Sequence, residues 1–191
     1  MRKLSFYPRL AARSMRSNRR FYVPYLLTVI GTAAAFYIMA AIVADPGSKE
    51  LASGTANGQV YVSMFMTIGQ FVLALFSCIF LLYTNSFLMK RRQKELGLYS
   101  VLGMSKLNIA GIMVFESLYI GVIGIGGGLA VGILLHKLVS LLLFRLMRLP
   151  VPFGFSVQPM AILVVVLFFA ALILLTLITN LARVGLSKPV E

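Results

Sequence analysis

The stretch QPMAILVVVLFFAALILLTLITNL, residues 158–181, contains no Asp, Glu, Lys or Arg. Wound as an α-helix it is about 36 Å long, enough to cross the roughly 30 Å hydrocarbon core of a bilayer. Three further stretches match it, residues 21–44, 64–88 and 107–135. None of them contains Lys or Arg, and the one acid among them is Glu116. Lipid offers no hydrogen-bond partner to an open backbone, so these runs must be helices rather than isolated strands. The sequence therefore predicts an all-α integral membrane protein built on four transmembrane helices.

Composition agrees. Of the 191 residues, 60% are apolar and 12% charged, against about 45–50% and about 25% in soluble domains, which excludes a water-soluble globule. Eighteen Lys and Arg against five Asp and Glu give a formal charge of +13, which calls for an anionic partner, nucleic acid or a lipid surface. Every basic cluster abuts a membrane run, where each cation gains about 1 kcal/mol from anionic lipid. No nucleic-acid-binding motif accompanies the charge, so membrane lipid is the predicted partner and nucleic acid is not. Cys78 is the single cysteine, which excludes a disulfide scaffold, and His136 is the single histidine, so no metal site is predicted. In the absence of Trp, anchoring at the membrane surface falls to Tyr and Phe.

The placement of Lys and Arg sets the orientation. Arg2, Lys3, Arg9, Arg13, Arg16, Arg19 and Arg20 precede the first span. Lys90, Arg91, Arg92, Lys94 and Lys106 lie between the second and third, and Arg183 and Lys188 follow the fourth. The opposite face has Lys49, Lys137, Arg145 and Arg148. Fourteen against four predicts a multi-pass protein of the cell membrane with both termini in the cytoplasm. The first span is read as a retained anchor, since it exceeds the 7–15 residues of a signal core and Ile42-Val43-Ala44 lacks an Ala-x-Ala site.

Residues 1–20 carry Arg9, Arg13, Arg16 and Arg20 at helical spacing, with Phe6, Leu10 and Met15 on a different side. This predicts an amphipathic helix on the inner leaflet; a disordered basic tail is the alternative. Tyr22, Pro24 and Tyr25 then lead the chain into the bilayer, with Pro24 in a first helical turn. The polar segment from Asp45 to Asn57 or Gly58 reads as a connector. His136 to Leu149 continues the pattern of the third span as a helix at the outer surface, its cations snorkelling.

The central basic loop is the most informative segment outside the membrane. After Lys90-Arg91-Arg92-Gln93-Lys94, residues Glu95, Leu98, Tyr99 and Leu102 share one helical face. An exposed short helix with an apolar face either takes a protein partner or lies on lipid, and periodicity alone leaves both open. Gly103 is suited to a left-handed cap closing this helix, and Ser105 to the N-cap of the next. In the third span Gly124, Gly128 and Gly132 recur every four residues, which strips one face for close helix packing. Glu116 is the only acid inside a span, and without further acids or a histidine facing it a structural hydrogen bond, or a protonated carboxyl at a helix contact, is preferred to a proton relay.

Chemistry is conspicuously missing. There is no GxxxxGK[ST] phosphate loop, no HExxH, CxxC or GxSxG, and no paired carboxylates on one helix. Catalytic residues and cofactors are therefore predicted to be none, and the chain is read as a transport or signal-transmitting component powered by another subunit.

The run from Tyr83 to Met104, YTNSFLMKRRQKELGLYSVLGM, resembles the second-helix exit and cytoplasmic loop of FtsX-like permeases. It is most similar to the permease subunits of BceAB-type bacitracin-export ABC transporters. Asn18-Arg19-Arg20-Phe21-Tyr22-Val23-Pro24-Tyr25 resembles their entry into the first helix, and Glu116 with the glycine run resembles their third. The resemblance implies that Glu95 to Gly103 is a coupling helix for a separate cytoplasmic ATPase, with Leu98, Tyr99 and Leu102 as contact surface and Lys90, Arg91, Arg92 and Lys94 steering it. It also implies action on envelope-directed peptides or lipid-linked wall precursors, beside further permease helices or a second permease copy, and with a sensor kinase as a further partner. Such permeases carry about ten spans, so the likeness covers their N-terminal four-helix unit. The predicted organisation is a surface helix over 1–20, a first span and outer loop over 21–63, a three-helix permease unit over 64–182, and a cytoplasmic tail over 183–191 where the family's sequence would continue. The alternatives are a non-transporting transmitter that regulates an extracellular partner, and a stand-alone membrane scaffold.

Overall fold

The computed structural model of the chain describes residues 6–44, 56–101, 103–146 and 157–186. They form five helices and no strand: α1 (Phe6–Ser17), α2 (Arg19–Ala44), α3 (Ala56–Val101), α4 (Lys106–Leu146) and α5 (Pro159–Leu186). The last four each contain a segment long and apolar enough to span a bilayer. The outer connector, Leu102, the end of the predicted outer helix and the tail beyond Leu186 lie outside the described residues.

The first span, α2, is the centre of the bundle and touches each of α3, α4 and α5. Its inward residues Tyr22, Tyr25, Val29, Ala33, Tyr37 and Ala40 recur every three or four positions, all buried. Against them lies the glycine face of α4. An added Cβ would stand 2.6 Å from Val29 at Gly124, 2.5 Å from Ala33 at Gly128 and 3.0 Å from Tyr37 at Gly132. The contacts advance four residues on both helices together, the register of two helices running in the same direction with backbones close enough for dispersion to hold them. On the other flank Phe36 stacks on Phe168 at 4.8 Å and meets Phe169 edge-on at 6.0 Å, which joins α2 to α5.

Two boundaries differ from the sequence reading and a third agrees with it. The central segment is no separate helix, because α3 runs unbroken from Ala56 to Val101. From Lys90 to Leu98, Gly97 alone interrupts a run of good helix formers, and one glycine does not stop a helix. What stops it is Gly103, whose φ of 83° is left-handed. Ser105 then caps α4 by accepting a 3.4 Å hydrogen bond from the Asn108 amide. As expected, α4 continues the third span through His136, as far as Leu146. The other difference is that α2 begins at Arg19, so Pro24 lies inside it rather than in its first turn. The carbonyl this frees belongs to Arg20, which is exposed at the helix start.

Helix α1 is separated from α2 by a turn at Asn18. Its cations Arg9, Arg13 and Arg16 are exposed, while Ala11 is fully buried and the helix packs chiefly on α4. Its less polar side therefore meets protein.

Candidate functional site

Successive residues of a helix are turned by about 100°, and the lower part of α3 sorts accordingly. Leu81, Asn85, Leu88 and Arg92 fall on one stripe, and all are buried. Phe76, Phe80, Tyr83 and Phe87 fall on the opposite stripe, and all are exposed. Arg92 thus ends the inward stripe although its neighbours Lys90 and Arg91 are exposed.

There Arg92 meets Glu116 of α4. Both terminal nitrogens of the guanidinium donate to the carboxylate, Nη1 to Oε2 and Nη2 to Oε1, the latter at 2.9 Å. The two side chains are 5% and 4% exposed, which makes this a buried pair and not a surface one. Nη2 also donates to Ser14 Oγ of α1 at 3.2 Å, and the guanidinium lies 5.4 Å from the ring centre of Tyr22 on α2. One turn or two further into the bilayer, Asn85 and Asn180 exchange reciprocal 3.0 Å hydrogen bonds between α3 and α5. A small cavity of mixed character separates the two arrangements, its polar lining supplied by Tyr22, Asn85, Arg92, Glu116, Ser117 and Asn180 and the rest by Leu88, Met89, Met113 and Ile120. Side chains of all five helices meet here.

Two charges out of water are tolerated only when paired with good geometry, and removal of one partner leaves the other uncompensated at a cost of about 3–5 kcal/mol. The bidentate fork suits a planar guanidinium and would be lost with lysine. The site therefore fastens α3 to α4 where the two helices otherwise touch little. Among the described residues no group of three or more His, Cys, Asp or Glu is placed to hold a metal ion.

The residues predicted from the sequence separate into distinct groups. Arg92 was grouped with Lys90, Arg91 and Lys94 as a docking run, yet it is turned inward and unavailable to a cytoplasmic partner. Glu116, read as a helix-contact residue, is that contact, with an ionised partner the sequence reading did not assign. Lys90 is exposed, and Arg91 lies over the rings of Phe21 and Phe87 at 5.9 and 5.4 Å. Leu98 is 59% exposed near the foot of α3, and Gly103 follows it in the cap. Lys94, Glu95 and Tyr99 belong to α3, but their side chains, like Leu102 as a whole, lie outside the described residues. Gly124, Gly128 and Gly132 of α4 pack against α2 as described. Ser14, Tyr22 and the Asn85–Asn180 pair were missed. Two signals pointed to them: an acid in a span requires a partner, and Arg92 stands in helical register with Leu81, Asn85 and Leu88.

A family model described as FtsX-like permease C-terminal matches residues 67–185. The chain is 25% identical over 182 residues to the uncharacterized ABC transporter permease YvcS of Bacillus subtilis, an alignment that covers 95% of this chain and 28% of that protein. It is 28% identical over 173 residues to the bacitracin export permease protein BceB of Bacillus subtilis, covering 90% of this chain and 26% of the relative. Against the bacitracin export permease protein BceB of Halalkalibacterium halodurans it is 26% identical over 171 residues, again 90% of this chain and 26% of the relative. The chain thus spans little more than a quarter of the length of these relatives.

Proposed function

Because this chain belongs to the FtsX-like permease family, we propose that it is the transmembrane subunit, or a four-helix unit of one, of an ABC transporter moved by a separate ATP-binding subunit. It is a multi-pass membrane protein, and both termini and the foot of α3 face the cytoplasm on this reading. The observation that carries the proposal is the attachment of Arg92 to Glu116 on a helix that continues without interruption to Val101. Leu98, the exposed apolar contact point, is six residues below Arg92 and therefore about 9 Å along the same rigid helix. A push on Leu98 is not absorbed in a loop; it reaches the ion pair, and through it α4 and α1. The relatives named for bacitracin export support cell-envelope-active peptides, or the lipid-linked precursors they bind, as the substance removed.

The test is co-expression of the full chain with a candidate ABC ATP-binding subunit from the same genome, followed by capture and measurement of ATP hydrolysis in vesicles. Leu98→Asp loses capture. Glu116→Gln retains capture and loses the chain's effect on hydrolysis. If the intact chain captures no ATPase, or if Leu98→Asp captures it equally, the reading fails.

A further inference from the structure

We propose that the cytoplasmic end of α3 carries a binding site for the phosphate of an anionic phospholipid of the inner leaflet, with Arg91 as its principal ligand and Lys90 and Arg183 flanking it. This inference is independent of the transport reading. It starts from the exposed stripe Phe76, Phe80, Tyr83 and Phe87, spaced four, three and four residues apart, with Tyr83 74% exposed. A further step of four reaches Arg91. The cation therefore ends the lipid-facing stripe of the helix and stands where hydrocarbon gives way to headgroups.

Its guanidinium is held in place there. Phe87, one turn above on α3, and Phe21, at the start of α2, bring their rings to 5.4 and 5.9 Å of the guanidinium carbon. Contact with ring faces restrains the side chain while leaving N–H groups at the edge of the fork free to donate to an oxyanion. By helical rotation Lys90 falls on the other side of the stripe, one turn below the position of Ser86. Arg183 of α5 donates to Ser86 Oγ at 3.3 Å and is itself exposed. Arg19 and Arg20, also exposed, immediately precede Phe21. Among the described side chains the one carboxylate is Glu116, which Arg92 already occupies. The described side chains of this surface are thus positive, partly preorganised, and set directly beneath an apolar face. A phospholipid offers both complements in one molecule: acyl chains against Phe80 and Tyr83, and a phosphate against the fork of Arg91. A cytoplasmic protein could reach the charge and Leu98 below it, but not the aromatic stripe within the bilayer.

The sequence supplies a clean reporter, because it contains no Trp. Tyr83→Trp places one indole on the stripe, about 12 Å above Arg91, at the depth of an acyl chain whose headgroup is bound. The full-length variant is reconstituted in phosphatidylcholine vesicles, and quenching is compared for acyl-brominated phosphatidylglycerol and acyl-brominated phosphatidylcholine. Phosphatidylglycerol is expected to be preferred about fivefold. Adding Arg91→Gln should bring the ratio near one, with helicity by circular dichroism unchanged, and Arg91→Lys should retain part of the preference. Lys90→Gln and Arg183→Gln provide independent arms and should each lower the ratio. Equal quenching by the two lipids in the parent, or a preference that survives Arg91→Gln, overturns the site. Relief of quenching by soluble glycerol phosphate would assign it to free phosphate instead. Loss of ATPase capture with unchanged lipid preference in Arg91→Gln would assign it to protein docking.

Discussion

Arg92 and Glu116, separated by 24 residues of sequence, close a bidentate ion pair inside the bundle, while Lys90 and Arg91 just before it are exposed. The inner end of the membrane domain is organised around that pair. It joins the long helix α3 to α4 directly, and through Ser14 to the surface helix α1.

Glu116→Gln should lower stability by about 3–5 kcal/mol, because it leaves the Arg92 cation buried without its counter-charge. Thermal unfolding in detergent measures this. The exchanged pair Arg92→Glu with Glu116→Arg should recover a large part of the loss, and simple additivity of the two single changes would show that the groups do not interact.

Gly128→Leu should destabilise by about 1–3 kcal/mol through overpacking, since even its Cβ would stand 2.5 Å from that of Ala33. Gly126→Ala is the control on the same helix: nothing lies within 4 Å of its added Cβ. Its stability should be unchanged or slightly higher. Equal losses at the two sites would mean that α4 does not pack on α2 by this face.

At Gly103 the left-handed φ of 83° makes alanine unfavourable by about 1–2 kcal/mol. Asparagine should be the best tolerated replacement. Amide exchange at Asn108 and Ile109 in the first turn of α4 provides the readout, and should quicken in Gly103→Ala more than in Gly103→Asn.

For Asn85 and Asn180 a double-mutant cycle with alanine should show coupling of about 0.6–2 kcal/mol, the range of interhelical hydrogen bonds within membranes. Each single change strands one amide in the cavity; the double change does not. A coupling of zero would indicate that the reciprocal bonds are absent in lipid.

Much of this architecture was legible in the sequence. Four apolar runs longer than a bilayer is thick admit little but four spanning helices. The left-handed role of Gly103 followed from its position after an apolar helical face, and the Ser105 cap from the residue types that accept amide hydrogen bonds. The glycine stripe showed that one face of α4 was bare, though not which helix would fill it, since Val29, Ala33 and Tyr37 carry no mark of the match. The site was misread at Arg92 for a simple reason. Lys90, Arg91 and Arg92 form one charged word in the linear sequence, but a helix points them in three directions, and only the third meets Glu116. The unbroken length of α3 was hidden as well, because a change from apolar to basic composition marks the edge of the membrane and does not mark the end of a helix.

The 46 residues of α3 extend about 69 Å, with Arg92 about 54 Å from one end and about 13 Å from the other. Pinned at that point and stiff along its length, the helix would behave as a see-saw of unequal arms. A displacement of about 1 Å at Val101 would then become a swing of about 4 Å at Ala56, in the opposite sense. The small stroke of a motor below the membrane would be geared up into a larger excursion above it, and paired distance measurements at the two ends would read that ratio directly.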